Sequence, residues 1–252
     1  MNRVVSLAGL ITLAVLVALL FGIMVKSGQV TSAIMDEAWD MISQRGVDLK
    51  ANADVQEHLD WYLTGIEEQI QGKSSLQVLL HSEKLGISYE YPSSGKEVPF
   101  HIASIGKVFT ATLLCMLSEK GEISLDDPIV NYLPDTSLEG LFVFEGDDYA
   151  EQVTIRELLT HTSGVADYAE DPVINGPPFL KLILDNPDTY WTPEMLLDFS
   201  RHNQSAVGKP GDSFHYSDTG YVLLGRIIEN VTSKPFHANL HDEFFTPLEM
   251  ND

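Results

Sequence analysis

Apolar positions recur along this chain with three different spacings, and each spacing predicts a different kind of element. From Val4 to Val25 they form one uncharged run, "VVSLAGLITLAVLVALLFGIMV". A helix of about 20 residues crosses a bilayer, so this run predicts a transmembrane helix. Further on the spacing is helical: Val55, Leu59, Tyr62, Leu63, Ile66 and Ile70 mark one face of a helix that ends near Gly72, with Asp54 and Glu57 as a capping pair. In "GISYEYP" the spacing is two, because Ile87, Tyr89 and Tyr91 alternate with polar residues; with "LQVLLHS" before it and Gly86 between, a hairpin is expected.

The chain then passes through "SSGKEVP" into "FHIASIGKVFTATLLCMLSEKGE" (100–122), apolar enough to predict a buried helix. Thr154 and Glu157 form a capping box for "TIRELLTHTSG", expected to stop at Gly164. Thr192 opens "PEMLLDFSRH", where Pro193 takes the first helical position and its missing N–H costs nothing. "KPGDS" reads as a turn, "TGYVLLGRIIENV" as a helix and "PFHANLHDEFFT" as the last helix. Strands followed by helices predict an α+β body, a helical layer beside an antiparallel sheet. The organisation expected is a transmembrane anchor or signal segment over 1–27 and a juxtamembrane stalk over 28–51. In that stalk Ile34, Ala38 and Ile42, with Met35 and Trp39, repeat at helical spacing. The folded domain then occupies 52–252.

Charge narrows the partners. With 37 acidic and 15 basic residues the net charge is -22. A polyanion gains nothing from such a surface, so nucleic acid is excluded as a partner. Every acidic residue follows residue 35, so the acidity belongs to the body; Arg3 and the amino terminus precede the apolar run, which places the start inside and the body outside the cytoplasm, periplasmic or extracellular. A cleaved signal has an apolar core of about 7–15 residues, shorter than this run, so an uncleaved anchor is favoured. The alternative is secretion after cleavage at "VTSA", ending at Ala33. The single Cys115 excludes a disulfide framework and, among apolar neighbours, reads as a core residue. His237 and His241 are spaced by one helical turn without a glutamate of the zinc-protease pattern, and no metal or cofactor is expected.

Candidate chemistry lies in "SIGK". If Ser104 begins a helix, Lys107 projects one turn later from the same face, within reach of the hydroxyl. A serine hydroxyl becomes a nucleophile when an adjacent base takes its proton, and burial lowers a lysine from its usual value near about 10.4 toward that role. The alternative makes Ser104 an N-cap and Lys107 a side chain snorkelling to the surface.

The S-x-x-K tetrad has company in "GEISLDDPIVNYLPD", "IRELLTHTSGV", "PGDSFHYSDTGYVLLGRIIE" and "PFHANLHDEFFTPLEM", in that order. With these blocks the chain, over about residues 55 to 252, resembles the serine beta-lactamase and penicillin-binding protein superfamily. The resemblance is closest to the class C beta-lactamase-like branch, which also holds D-alanyl-D-alanine carboxypeptidases and esterases. It implies a beta-lactamase/transpeptidase-like fold, Ser104 as the acylated nucleophile, Lys107 as its proton-abstracting partner and Tyr216 of "HYSD" as the proton relay. The substrate implied is a small molecule or a peptidoglycan peptide, attacked at an amide, lactam or ester carbonyl; a non-catalytic sensor or a fragment needing a partner is the alternative. His161 and Gly164 match a family block and read as a helix end and its cap, and Ser163 as part of the turn.

Two departures stand out. Where the branch has asparagine, this chain has Asp218, which is expected chiefly to cap the helix from Thr219; a carboxylate there would also favour the ammonium of Lys107 and oppose its role as a base. After "FFTPLEM" there is no Lys-Thr-Gly or His-x-Gly segment. The resemblance therefore implies that the C-terminal sheet strands and one oxyanion-hole N–H are missing, that 52–252 is a partial domain, and that it is weakly active or inactive alone. One lost oxyanion donor costs about 10²–10³ in turnover.

Overall fold

The structure, a computed structural model, describes residues 52–70, 76–83, 87–92 and 101–250. The apolar run at 4–25 and the stalk at 28–51 lie outside the described residues. Among the described residues no helix is long and apolar enough to cross a membrane. The chain divides into two compact units, Met1–Val98 and Pro99–Asp252.

In the first unit, helix α1 (Asn52–Ile70) accompanies an antiparallel hairpin of β1 (Gln77–Ser82) and β2 (Ile87–Pro92), with Leu80 opposite Tyr89. The alternation in the sequence forms the expected hairpin, and Tyr89 faces inward, buried. Two phenols tie strand to helix: Tyr89 donates to Asp60 Oδ1 at 2.6 Å and Tyr91 to Glu67 Oε2 at 2.6 Å. Burial together with the Asp60 contact pushes Tyr89 above the usual tyrosine range. The helix begins two residues before Asp54, so Asp54 and Glu57 lie inside its first turns rather than at a cap.

The second unit is helical. A 3₁₀ turn (Ala103–Ile105) leads into α2 (Gly106–Glu119); a short α3 (Asp135–Leu138) and a two-residue hairpin, β3 (Val143–Phe144) with β4 (Asp147–Asp148), follow. Then come α4 (Ile155–Leu159), α5 (Phe179–Asp185), α6 (Pro193–Asn203), α7 (Asp218–Thr232) and α8 (Phe236–Leu240), the last running into a π turn at His241–Phe245. At the centre is α7, whose Leu223, Leu224, Ile227 and Ile228 have no exposed surface. Against it pack Leu113, Leu114 and Leu117 of α2, Ile155 and Leu158 of α4 and Leu197 of α6. Removing apolar side chains of this size from water contributes about 1.5–3 kcal/mol each, which makes this seam the main source of stability. Phe109 stands edge-on to Phe244 and Phe245 and joins α2 to the π turn.

Three sequence expectations are corrected. Of the stretch predicted to be buried, the described residues 101–122 are buried along one line only, Thr110, Leu113, Leu114 and Leu117, the i, i+3, i+4, i+7 face of α2. Ile102, Ile105 and Val108 fall off that line and are exposed. Cys115 falls off it too and is exposed rather than in the core. Helix α4 ends at Leu159, not Gly164, because Thr160 already leaves helical geometry and His161 turns to φ +58°. Gly164 has another job: at φ +77° a Cβ on it would stand 2.2 Å from the carbonyl oxygen of Gly208, so only glycine lets the two loops touch.

Candidate active site

Three pieces of backbone deliver the site. The 3₁₀ turn carries Ser104 to the surface, and α2 presents Lys107 one turn on. The segment leading into α7 supplies Tyr216, and the first turn of α7 supplies Asp218. That segment is stitched to the loop after α4: Gly211 N–H donates to the Thr162 carbonyl at 2.8 Å, Val207 N–H to that of Gly164 at 2.8 Å and His215 N–H to that of His161 at 2.7 Å. Ser217 Oγ donates to the Ala166 carbonyl at 3.0 Å and accepts from Gly220 N–H at 3.3 Å, which caps α7.

All four side chains singled out from the sequence meet. Lys107 Nζ donates to Ser104 Oγ at 3.2 Å. Ser104 Oγ lies 2.7 Å from Tyr216 Oη, and Tyr216 Oη donates to Asp218 Oδ1 at 3.4 Å. Lys107 also pairs with Asp218 Oδ1, and its ammonium lies 4.9 Å from the centre of the Tyr216 ring. With Tyr216 donating to Asp218, the contacts run from lysine to serine, serine to tyrosine and tyrosine to aspartate.

Two expectations change here. Asp218 does not cap α7; the neighbouring Ser217 does, and Asp218 in the first turn points its carboxylate at Lys107 instead. Lys107 does not become neutral. Burial pulls it down, but hydrogen bonds and charge contacts with Asp218 and Tyr216 outweigh that and hold it above the ordinary lysine value, as ammonium. Lys107 is only 17% exposed, so the pairing acts with little screening by water.

Behind Tyr216 lies a residue whose role here the sequence did not reveal. His161 stacks on the Tyr216 ring, centroids 4.4 Å apart, and leans on Tyr221 at 5.1 Å. Its Nδ1 accepts from the Ser217 N–H at 3.1 Å, which places the ring proton of the neutral form on Nε2. Burial, and then the nearby Lys107 ammonium, pushes His161 below the usual histidine value. The signal for it was the pairing of "HTSG" with "HYSD", two blocks whose contact no spacing in the sequence reveals. Tyr168 also adjoins the site, and burial with the Asp218 and Asp167 charges pushes it up to about 12. An apolar groove of about 380 Å³ opens beside Lys107, lined by Phe109, Tyr221, Phe236, Leu240, Phe245 and Met250 among others.

A surface serine held by a lysine and a tyrosine on a mainly helical scaffold defines the class to which the comparisons point. The sequence profile of the beta-lactamase family matches residues 91–252, and the chain belongs to that family. Protein flp of Staphylococcus aureus (strain MW2) is 30% identical over 210 residues, 78% of this chain and 38% of that protein. Penicillin-binding protein 4* of Bacillus subtilis (strain 168) is 33% identical over 153 residues, 61% of this chain and 30% of that protein. The chain thus spans well under half the length of these curated relatives. Among solved structures, the octameric penicillin-binding protein homologue from Pyrococcus abyssi is 29% identical with a TM-score of 0.56, over 77% of this chain and 43% of the other. A D-stereospecific amidohydrolase from Streptomyces sp. is 36% identical with a TM-score of 0.50, over 60% and 42%. The fold is accordingly the beta-lactamase/transpeptidase-like one, helices with a small antiparallel sheet.

Proposed function

We propose that this protein is a serine hydrolase that forms an acyl-enzyme on Ser104 and acts on an amide, lactam or ester bond of a small molecule or a cell-wall peptide. The observation that carries the reading is the position of Ser104 Oγ, 3.2 Å from an ammonium and 2.7 Å from a phenol oxygen. Ser104 Oγ attacks the carbonyl carbon while its proton passes to Tyr216 Oη, and the Tyr216 proton moves toward Asp218. Lys107 remains ammonium and offsets the negative charge that develops on Ser104 Oγ and on the carbonyl oxygen. On collapse of the tetrahedral species the leaving group takes a proton back along this path, and water then releases the acyl group from Ser104. Lys107 thereby acts as the cation of the site rather than as its resting base. The names of the relatives support amide-type substrates. The uncharged run at 4–25 supports attachment to a membrane with the body outside the cytoplasm, which fractionation of cells expressing the full chain tests.

The test of the chemistry is intact-mass analysis of the full chain in detergent after exposure to a fluorophosphonate or a penicillin. An adduct is expected on the parent and none on Ser104→Ala. An adduct of equal yield on both overturns the assignment of the nucleophile.

A further inference from the structure

We propose that His161 is a positioning residue: its unprotonated ring clamps Tyr216 against Ser104, and a proton on Nδ1 opens the clamp. The inference rests on the hydrolase reading above and adds an acid-sensitive support to it.

The geometry assigns the role. The imidazole lies nearly parallel to the Tyr216 ring, 27° between planes at 4.4 Å, so it covers one face of the phenol whose oxygen meets Ser104. Behind it the Tyr221 ring, itself fixed by its hydroxyl on the Leu159 carbonyl at 3.1 Å, sets how far the imidazole can retreat. At one side Phe214 stands edge-on at 5.8 Å. The ring is therefore a spacer between a fixed wall and the reacting phenol. Its backbone is held in the left-handed region, φ +58°, where a side chain other than glycine is uncommon and strain marks a constrained position.

The clamp has a chemical latch. Ser217 lies between Tyr216 and Asp218 in the chain, and its N–H is the donor that His161 Nδ1 accepts. A proton on Nδ1 would set N–H against N–H, and Ser217 would have to turn away, carrying with it the residues on both sides. The charged and titratable groups facing the ring are Lys107 from α2, Asp218 and Tyr221 from α7, and His215 and Tyr216 from the strap before α7. A cationic imidazole would stand among these with the Lys107 ammonium already present, and the carboxylate of Asp218 is committed to Lys107. Burial and Lys107 thus both favour the latched form at neutral pH.

The test follows the rate of Ser104 modification by a fluorophosphonate across pH on the full chain in detergent, with the His161 ring followed by nitrogen NMR on the same sample. The rate is expected to fall on acidification with the same midpoint as the ring titration. His161→Asn keeps an oxygen acceptor for Ser217 N–H and tolerates the left-handed backbone, but it has no ring and does not titrate. It is expected to lose that acid limb and to be slower at neutral pH by about 10–100-fold, the range a misplaced catalytic group costs. His161→Phe, which keeps a ring without an acceptor, is expected to lose the limb as well, whereas His215→Gln keeps it. The proposal is overturned if His161→Asn retains the limb, or if ring and rate titrate at different pH. Should the variants not fold, the coincidence of the two midpoints in the parent decides. Absence of modification at every pH would count against the hydrolase reading; the Tyr216 ring resonances then decide the clamp, moving with the His161 titration if it exists and staying still if it does not.

Discussion

Two helix starts in the second unit use the same residue types for different ends. At α4, Thr154 caps and Glu157 three residues on reaches back: Thr154 N–H donates to Glu157 Oε2 at 2.8 Å, and Glu157 N–H to Thr154 Oγ1 at 3.2 Å. Every partner is local, and the acid is absorbed by its own helix. At α7, Ser217 caps but the acid in the first turn, Asp218, leaves its helix to meet Lys107, 111 residues earlier. The Asp218 backbone also reaches outside its helix, its N–H donating to Asp167 Oδ1, 51 residues earlier, at 3.2 Å. An acidic residue near a helix start is stabilised by the helix dipole in either case. Whether it is structural or chemical depends on what the fold brings opposite it.

The largest expected effect tests the chemical end. Lys107→Ala removes the cation beside Ser104 Oγ and leaves Asp218 without its partner. The rate of Ser104 modification is expected to drop about 10²–10³-fold, the range for removing one group that stabilises developing charge. Thr154→Ala should leave that rate unchanged. A parental rate in Lys107→Ala would put the two helix starts back in one class.

Next in size is the ion pair itself. Asp218→Asn is expected to lower stability by about 1–3 kcal/mol, less than for a fully buried pair because both side chains keep some water contact. The pH dependence has a definite sign. Lys107 is raised in the folded state, so the pair's contribution is complete below the ordinary lysine value of 10.5 and fades as pH rises through the raised value. Urea denaturation of parent and Asp218→Asn should therefore converge at strongly alkaline pH. A gap that persists there would mean the carboxylate stabilises through something other than Lys107.

The cap beneath that pair comes third. Ser217 is buried and bonds both Gly220 N–H and the Ala166 carbonyl, so Ser217→Ala loses a cap and orphans a buried acceptor. About 2 kcal/mol is expected from denaturant midpoints.

The same contrast explains how much was legible beforehand. Thr154 with Glu157, Thr192 with Pro193, and the alternation Ile87, Tyr89, Tyr91 are short-range signals, and each produced its element. The tetrad Ser104 to Lys107 is also short-range, and its contact formed. Asp218 was misassigned because local rules make serine and aspartate equal caps, and nothing within a few residues says which of two neighbours will cap and which will turn outward. The charge state of Lys107 was misjudged for the same reason: burial is readable from apolar neighbours, but the carboxylate that outweighs it arrives through the fold. His161 was read as a helix end because its partners, Tyr216 and Ser217, sit in a segment that only the loop-to-loop hydrogen bonds bring near. The face of α2 that carries Val108 and Cys115, with Ile105 of the turn before it, was read as core since composition reports how apolar a stretch is, not which of its sides has a neighbour.

The smallest effect lies at the structural end. Thr154→Ala removes the oxygen that accepts the Glu157 N–H and the hydroxyl that donates to Glu157 Oε2, so α4 keeps only the half of its box in which the backbone N–H of residue 154 donates to Glu157. The half-exposed position lets water replace part of what is lost, and about 1 kcal/mol is expected. Thr154→Ser, which keeps the hydroxyl, should recover most of it. Because α4 abuts α7 through Ile155 and Leu158, which are buried, a loosened α4 could in principle disturb the site. The Thr160 N–H to Arg156 carbonyl bond at 2.9 Å and the stitched loop after it hold the far end of α4 independently of its cap. Stability and reactivity should therefore separate: Thr154→Ala lowers the denaturation midpoint while Ser104 reacts at the parental rate. If the rate falls in step with the midpoint, the two helix starts are coupled through α4 and the division of labour drawn between them fails.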